Sequence, residues 1–265
     1  VSGRLAVLGS PIAHSRSPLL HAAAAEVLGL DWEYGRIEAT AQTLPGILAG
    51  FGPEWVGLSL TMPLKRAVLP LVVEHHPLVD RLGLANTLRL GDRPHLANTD
   101  VGGIQVVLRD LAGVDRAMVL GGGATAASAL EALERLGVRE RIVAARRPEA
   151  AAIELAGLAD GFVGIADADL GSADVVVSAL PGDSDAAVRV PSRVAGTPLL
   201  DVAYDPWPTA LGARWAAAGG RLLHGLDMLV EQAVLQVRIF TDADPDLPLA
   251  REDQVRAAMR AAVGR

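Results

Sequence analysis

The chain has 265 residues, 51% of them hydrophobic, and carries 24 Lys and Arg against 31 Asp and Glu, a net charge of −7. That is enough apolar chain for one large or two modest domains. The acidic balance and the 3% aromatic content argue against a nucleic-acid surface or binding to an anionic membrane, so any anion must be caught by local groups. Cysteine is absent, which excludes disulfides, zinc thiolate sites and a cysteine nucleophile. The histidines form no H-E-x-x-H pattern, His75 and His76 read as a solvated pair, and no metal is expected. No run of apolar residues is long enough for a membrane span, and "VSGRLAVLGSPIAHS" does not read as a secretory leader, so a cytoplasmic protein is expected.

In chain order, "RLAVLG" (4–9) reads as a strand and leads into "SPIAHSRSPLLHAAAAEVLG". There Ser17 reads as a helix N-cap, Pro18 as the first helical residue and Gly29 as the stop. Ser15 is left without a role by that reading. A helix start offers unpaired N–H groups and partial positive charge, so two hydroxyls beside it suit a carboxylate. Strands are expected at 31–39 and 54–63, and two short ones around a Gly-Asp turn within 85–100. In "VGLSLTMPLK" the strand is expected to end at Thr61, with Pro63 opening a helix and Lys65 in its first turn, where a cation opposes the macrodipole. Asn86 in "GLANTL" and Asp100 in "ANTDVGG" are the polar groups expected to face a cleft.

The second half alternates strands and helices, which predicts a parallel sheet covered by helices. "MVLGGGATAASALEAL" is strand, glycine loop and helix, with Gly121, Gly123 and Ala126 in a G-x-G-x-x-A pattern suited to a pyrophosphate. About 20 residues on, the next strand ends in Ala145, Arg146 and Arg147, where an NAD site would hold a carboxylate. A guanidinium there suits the 2′-phosphate of NADP. Further strands are expected at 162–165, 173–181 and 197–204, with helices at 148–157 and 207–218, a polar loop at 242–253 and a last helix. The expected architecture is two α/β domains with a cleft between them: residues 1–100 with 227–265 binding substrate, and a Rossmann-type domain over 101–226.

The stretches "GSPIAHSRSPLLH", "SLTMPLK", "GLANTL", "NTDVGG", "LGGGATAA", "DVAYDPWPTAL" and "GLDMLVEQA", in this order, make the chain similar to the shikimate dehydrogenase family over nearly its whole length. "GFGPEWVG" and "DPWPT" resemble its actinobacterial members. The resemblance implies reversible, NADPH-dependent reduction of 3-dehydroshikimate to shikimate on the route to chorismate and the aromatic amino acids. It implies that Ser15 and Ser17 bind the substrate carboxylate, that Thr61, Asn86, Asp100 and Gln232 bind the ring hydroxyls, and that Tyr204 lies near the substrate. Lys65 matches the catalytic lysine, with Asp100 as its partner. Gly121, Gly122, Gly123, Ala124, Arg146 and Arg147 would hold the dinucleotide, and Val202, Gly225 and Met228 its nicotinamide end. The chain departs from the family's usual pattern at Ser59 and Ala22, where asparagine is common, and at Ala145-Arg146-Arg147. A quinate or quinate/shikimate dehydrogenase using NAD, and a non-catalytic binding protein on the same fold, remain open, as does a monomer or a homodimer.

Overall fold

The computed structural model describes residues 2–111, 113–182, 188–192, 194, 196–242 and 246–265. The polar loop expected at 242–253 therefore lies partly outside the described residues. The chain divides into two compact units, Val1–Thr99 with Val230–Arg265, and Asp100–Leu229.

The first unit contains β1 (Ser2–Gly9), α1 (Ser17–Leu28), β2 (Asp31–Glu38), α2 (Leu44–Ala49), β3 (Trp55–Leu60), α3 (Leu64–Ala67), β4 (Glu74–His75), α4 (Pro77–Leu82), β5 (Thr87–Arg89) and β6 (His95–Ala97). Its sheet runs β2-β1-β3-β5-β6-β4. Leu5, Ala6, Val7 and Leu8 are all buried, so β1 is apolar on both faces, as a central parallel strand must be. β5 alone runs against its neighbours: it is antiparallel to β3 and β6, while β1–β2, β1–β3 and β4–β6 are parallel. The β5–β6 hairpin is the expected pair of short strands, with Gly91 at φ 121° in the turn. Ala6, Leu8, Leu58, Leu60, Leu88 and Leu96 form the spine of the core.

The second unit contains α5 (Asp100–Leu108), β7 (Arg116–Leu120), α6 (Ala124–Arg135), β8 (Glu140–Ala145), α7 (Pro148–Glu154), β9 (Gly161–Gly164), β10 (Val175–Ser178), β11 (Pro198–Asp201), α8 (Ala210–Ala217) and β12 (Arg221–His224). The sheet order is β12-β11-β10-β7-β8-β9, and every pairing is parallel. Counted from β7, this is the doubly wound 3-2-1-4-5-6 order of a Rossmann-type domain, whose direction reverses between its first and fourth strands. β12 was not among the expected strands. "RLLH" is short, but it pairs in full register with β11.

α9 (Gly225–Phe240) is one helix whose first turns belong to the second unit and whose remainder belongs to the first. α10 (Glu252–Ala262) packs on α1, where Arg251 donates to the Val27 carbonyl at 2.6 Å. Two buried carboxylates join α10 to α9. Glu252 receives both arms of Arg238 at 2.8 Å, and Glu231 receives Arg256 at 2.9 Å and Arg260 at 3.2 Å. Among the described residues no helix is long and apolar enough to cross a membrane.

Candidate active site

Sheet direction gathers the sequence motifs of the first unit. β1, β3 and β6 end at one edge of the sheet, and β5, running the other way, begins there. The serine loop after Gly9, the Thr61–Lys65 turn, Asn86 and the Asn98–Thr99 pair therefore leave the sheet at the same edge. Backbone hydrogen bonds stitch these segments together. Thr61 N–H donates to the Leu8 carbonyl at 2.9 Å, Ser10 N–H to Met62 at 2.9 Å, Leu60 N–H to Asn86 at 2.7 Å and Ala85 N–H to Lys65 at 2.8 Å. Gly9 permits the closest approach: a Cβ there would lie 2.3 Å from Thr61 Cγ2.

The helix start differs from the expectation. α1 begins at Ser17, Arg16 occupies the N-cap position, and neither it nor Ser17 caps the helix through its side chain. Ser15 does that work instead, its Oγ accepting from Ser17 N–H at 3.3 Å and lying 3.3 Å from Ser17 Oγ. Arg36 on β2 holds the loop by donating twice to the Ser15 carbonyl, at 2.6 and 3.1 Å. Little dipole opposes Lys65: Pro63 is the N-cap of α3, a single turn of four residues whose first turn is also its last, and Lys65 is its second residue. The histidine pair is structural too: His75 Nδ1 contacts Asp80 at 2.8 Å, and His76 accepts from Leu78 N–H as the N-cap of α4.

Asn86 is 3% exposed and its amide is fully oriented. Its oxygen accepts from Thr99 N–H at 2.8 Å and Thr87 Oγ1 at 2.8 Å. Its nitrogen donates to Thr99 Oγ1 at 2.9 Å and to Gln232 Oε1 at 3.3 Å. Gln232, on α9, is thus brought to Asn86 from 146 residues away. Beneath them lies a polar layer that sequence reasoning missed apart from Ser59: His21, Tyr34, Ser59 and Gln236. No motif marks it, because each residue reads locally as one polar position in an amphipathic helix or a strand.

His21 stacks flat on the Tyr34 ring, centroids 4.2 Å apart. Its Nε2 lies 3.2 Å from Gln236 Oε1, and its Nδ1 is buried with no hydrogen-bond partner among the described residues. Burial lowers its pKa from 6.5 to about 4, the Gln236 contact opposing the shift. The folded value lies below the unfolded one, so the unfolded chain binds more protons between those values, and stability falls as pH drops from 6.5 towards 4. The full cost is roughly 3 kcal/mol. Denaturant unfolding from about pH 7 to 4.5 is expected to show a steeper loss for the wild type than for His21→Asn; equal slopes would contradict the assignment.

In the second unit, β7 runs directly into the glycine turn. Gly121 has φ 112°, a conformation that L side chains rarely adopt, and a Cβ on Gly122 would lie 2.9 Å from Ala151 Cβ. Gly123 is the N-cap of α6 and makes no side-chain cap, and a Cβ built on it would meet nothing within 4 Å among the described residues. Ala126 is fully buried, as the third position of the pattern requires for close packing. β8 ends in buried Ala145, and Arg146 and Arg147 follow it at the surface. Gly225 opens α9 against the end of β11, where a Cβ would lie 2.4 Å from the Val202 carbonyl oxygen. Met228 is 7% exposed and Tyr204 is half-buried. Asp100 heads α5, where a carboxylate favours the helix start, and is 5% exposed.

One unit with the strand order and glycine turn of a dinucleotide-binding domain, and another collecting hydroxyl, amide and ammonium groups at one sheet edge, are the two halves of a nicotinamide-dependent oxidoreductase. The model of the shikimate dehydrogenase substrate binding domain matches residues 7–88, and that of the shikimate 5′-dehydrogenase C-terminal domain matches residues 225–263. A shikimate dehydrogenase (NADP(+)) from Anaeromyxobacter sp. (strain Fw109-5) is 36% identical, the alignment covering 100% of this chain and 99% of that protein. The crystal structure of Mycobacterium tuberculosis shikimate dehydrogenase superposes with a TM-score of 0.83 at 41% identity, covering 98% of this chain and 99% of that one. The Thermus thermophilus shikimate 5-dehydrogenase, solved in complex with NADP(H) and shikimate, gives 0.82 at 31% identity, covering 98% and 99%. The chain belongs to the shikimate dehydrogenase family.

Proposed function

We infer that this chain is a cytoplasmic NADP-dependent shikimate dehydrogenase that interconverts 3-dehydroshikimate and shikimate. The observation that carries the reading is the shared sheet edge, which brings three motifs of the first unit together beside the oriented amide of Asn86. Residues of the second unit fit the cofactor: the glycine turn lets a backbone approach that a Cβ would block, the α6 start is open, and two guanidinium groups follow β8.

NADPH supplies the hydride. The protein's part is to seat the substrate and manage charge. Ser15 and Ser17 receive the carboxylate, and Thr61, Asn86, Asp100 and Gln232 receive the ring hydroxyls, with Tyr204 close by. Gly121, Gly122, Gly123, Ala124, Arg146 and Arg147 hold the dinucleotide, and Val202, Gly225 and Met228 border its nicotinamide end. As hydride arrives at the carbonyl carbon, negative charge grows on the oxygen. Lys65 as ammonium stabilises that charge and delivers the proton, with Asp100 orienting it.

Following NADPH absorbance with shikimate and quinate, each with NADP+ and NAD+, is expected to show fastest turnover with shikimate and NADP+. No turnover of shikimate with either cofactor would overturn the reading. Ser15→Ala removes a hydrogen bond to a charged group, a loss of roughly 1.5–3 kcal/mol. It is expected to raise the KM for shikimate at least ten-fold with NADP+ affinity intact. An unchanged KM would leave Ser15 as a helix cap alone.

A further inference from the structure

None of Tyr34, Ser59, Gln236 and Thr87 is among the proposed ligand residues, yet the four form a continuous hydrogen-bonded line that reaches one of them, Asn86, from the ring stacked under α1. The direction of every bond follows from chemistry. The backbone carbonyl of Asn86 can only accept, and it lies 3.1 Å from Gln236 Nε2, so the amide nitrogen of Gln236 faces that side. The same nitrogen donates to Thr87 Oγ1 at 3.0 Å, which leaves the Thr87 proton for Asn86 Oδ1 at 2.8 Å. The amide oxygen of Gln236 must then face the other way, where it accepts from Ser59 Oγ at 2.8 Å and from His21 Nε2 at 3.2 Å. Ser59 has committed its proton, so it accepts from the Tyr34 phenol at 2.6 Å. At this end Ser17 sits one turn before His21 on α1, His21 stacks on the Tyr34 ring, and Ser15 hydrogen-bonds Ser17.

Reversing any one of the bonds from Tyr34 to Asn86 would place two donors or two acceptors face to face in a buried region, so that line has a single low-energy setting. It ends at Tyr34, under the Ser17–His21 turn of α1, on one side and at Asn86 on the other. Ser59, where the family commonly has asparagine, is a one-proton link whose direction the Asn86 carbonyl sets through Gln236.

We propose that Tyr34, Ser59 and Gln236 are positioning residues, a buried relay that couples the carboxylate-binding serines to Asn86 so that both ends of the substrate seat are set together. This rests on the reading of Ser15, Ser17 and Asn86 as substrate ligands. Ser15 and Thr87 share no direct hydrogen bond, so without the relay their effects on substrate binding should multiply; residues joined in one network do not behave independently.

The test is a double-mutant cycle on the full chain with shikimate and NADP+. It pairs Ser15→Ala with Gln236→Leu. As a safeguard against misfolding of the leucine variant, a second cycle pairs Ser15→Ala with Thr87→Val, which deletes one hydroxyl at nearly constant shape. Each relay variant is expected to raise the KM for shikimate about three- to ten-fold. kcat and the KM for NADP+ should hold steady, a split that a general loss of structure would not produce. The double variant is expected to fall short of the product of the single effects by about three-fold or more, because Ser15 has lost part of its role once the relay is cut. Effects that multiply to within about two-fold, in a wild-type enzyme that oxidises shikimate, overturn the relay and leave the ligand assignments standing. A wild type inactive on shikimate removes the functional reading and the relay's purpose with it.

Discussion

Lys65→Met is expected to lower kcat by about 10²–10³ while leaving the KM for shikimate and the affinity for NADP+ within a few-fold of the wild type. Lys65 is the second residue of a one-turn helix whose place is fixed by the Ala85 N–H bond to its carbonyl. Removing the ammonium therefore should not move the backbone of the "GLANTL" segment. In the proposed mechanism the ammonium acts on charge that appears only as hydride transfers, so its loss would fall on the transition state more than on bound substrate. Asp100→Asn should also lower turnover, with a larger effect on KM, because the family pattern gives Asp100 a substrate contact. If the two act as a pair, the double variant should be far less impaired than the product of the single losses. A Lys65→Met enzyme with near-normal kcat would refute this mechanism, whatever its family.

Arg146→Asp is expected to reduce kcat/KM with NADP+ by roughly 10²-fold relative to NAD+, since on the proposed assignment one charge-assisted contact would be lost and a like charge would face the 2′-phosphate. β8 delivers Arg146 and Arg147 to the surface immediately after buried Ala145, so the substitution alters charge at the strand end without touching the core. Steady-state rates with both cofactors measure the effect. An equal loss with NADP+ and NAD+ would remove Arg146 from the cofactor site. Retained NADP+ preference would transfer the role to Arg147.

Several features were legible because their causes are local. A glycine at φ 112° after an apolar strand, followed by an alanine-rich helix, announces a tight turn wherever it occurs, and Gly121 obeys that constraint without help from distant residues. The all-apolar β1 reads as a buried parallel strand for the same reason. Ser15, Ser17, Lys65, Asn86 and Gln232 stand out as motif residues, and the first unit's fold then brings Asn86 and Gln232 into contact.

Other features depend on which strands become neighbours and in which direction, which a local pattern does not encode. The choice of Ser15 rather than Ser17 as cap follows from how β2 holds the loop through Arg36. The reversal of β5, which places Asn86 at the same edge as the ends of β1 and β3, is a matter of sheet pairing. "RLLH" becomes a strand only because β11 offers it a parallel partner. Gln236 is the clearest case, since its partners Asn86, Ser59 and His21 lie 150, 177 and 215 residues away. Turns, apolar strands and the chemistry at their ends rest on steric limits and the solvation of adjacent residues, so the residue order suffices for them. The buried polar line needed the folded core, because a hydrogen bond there exists only once packing has excluded water and brought its distant donor and acceptor within reach.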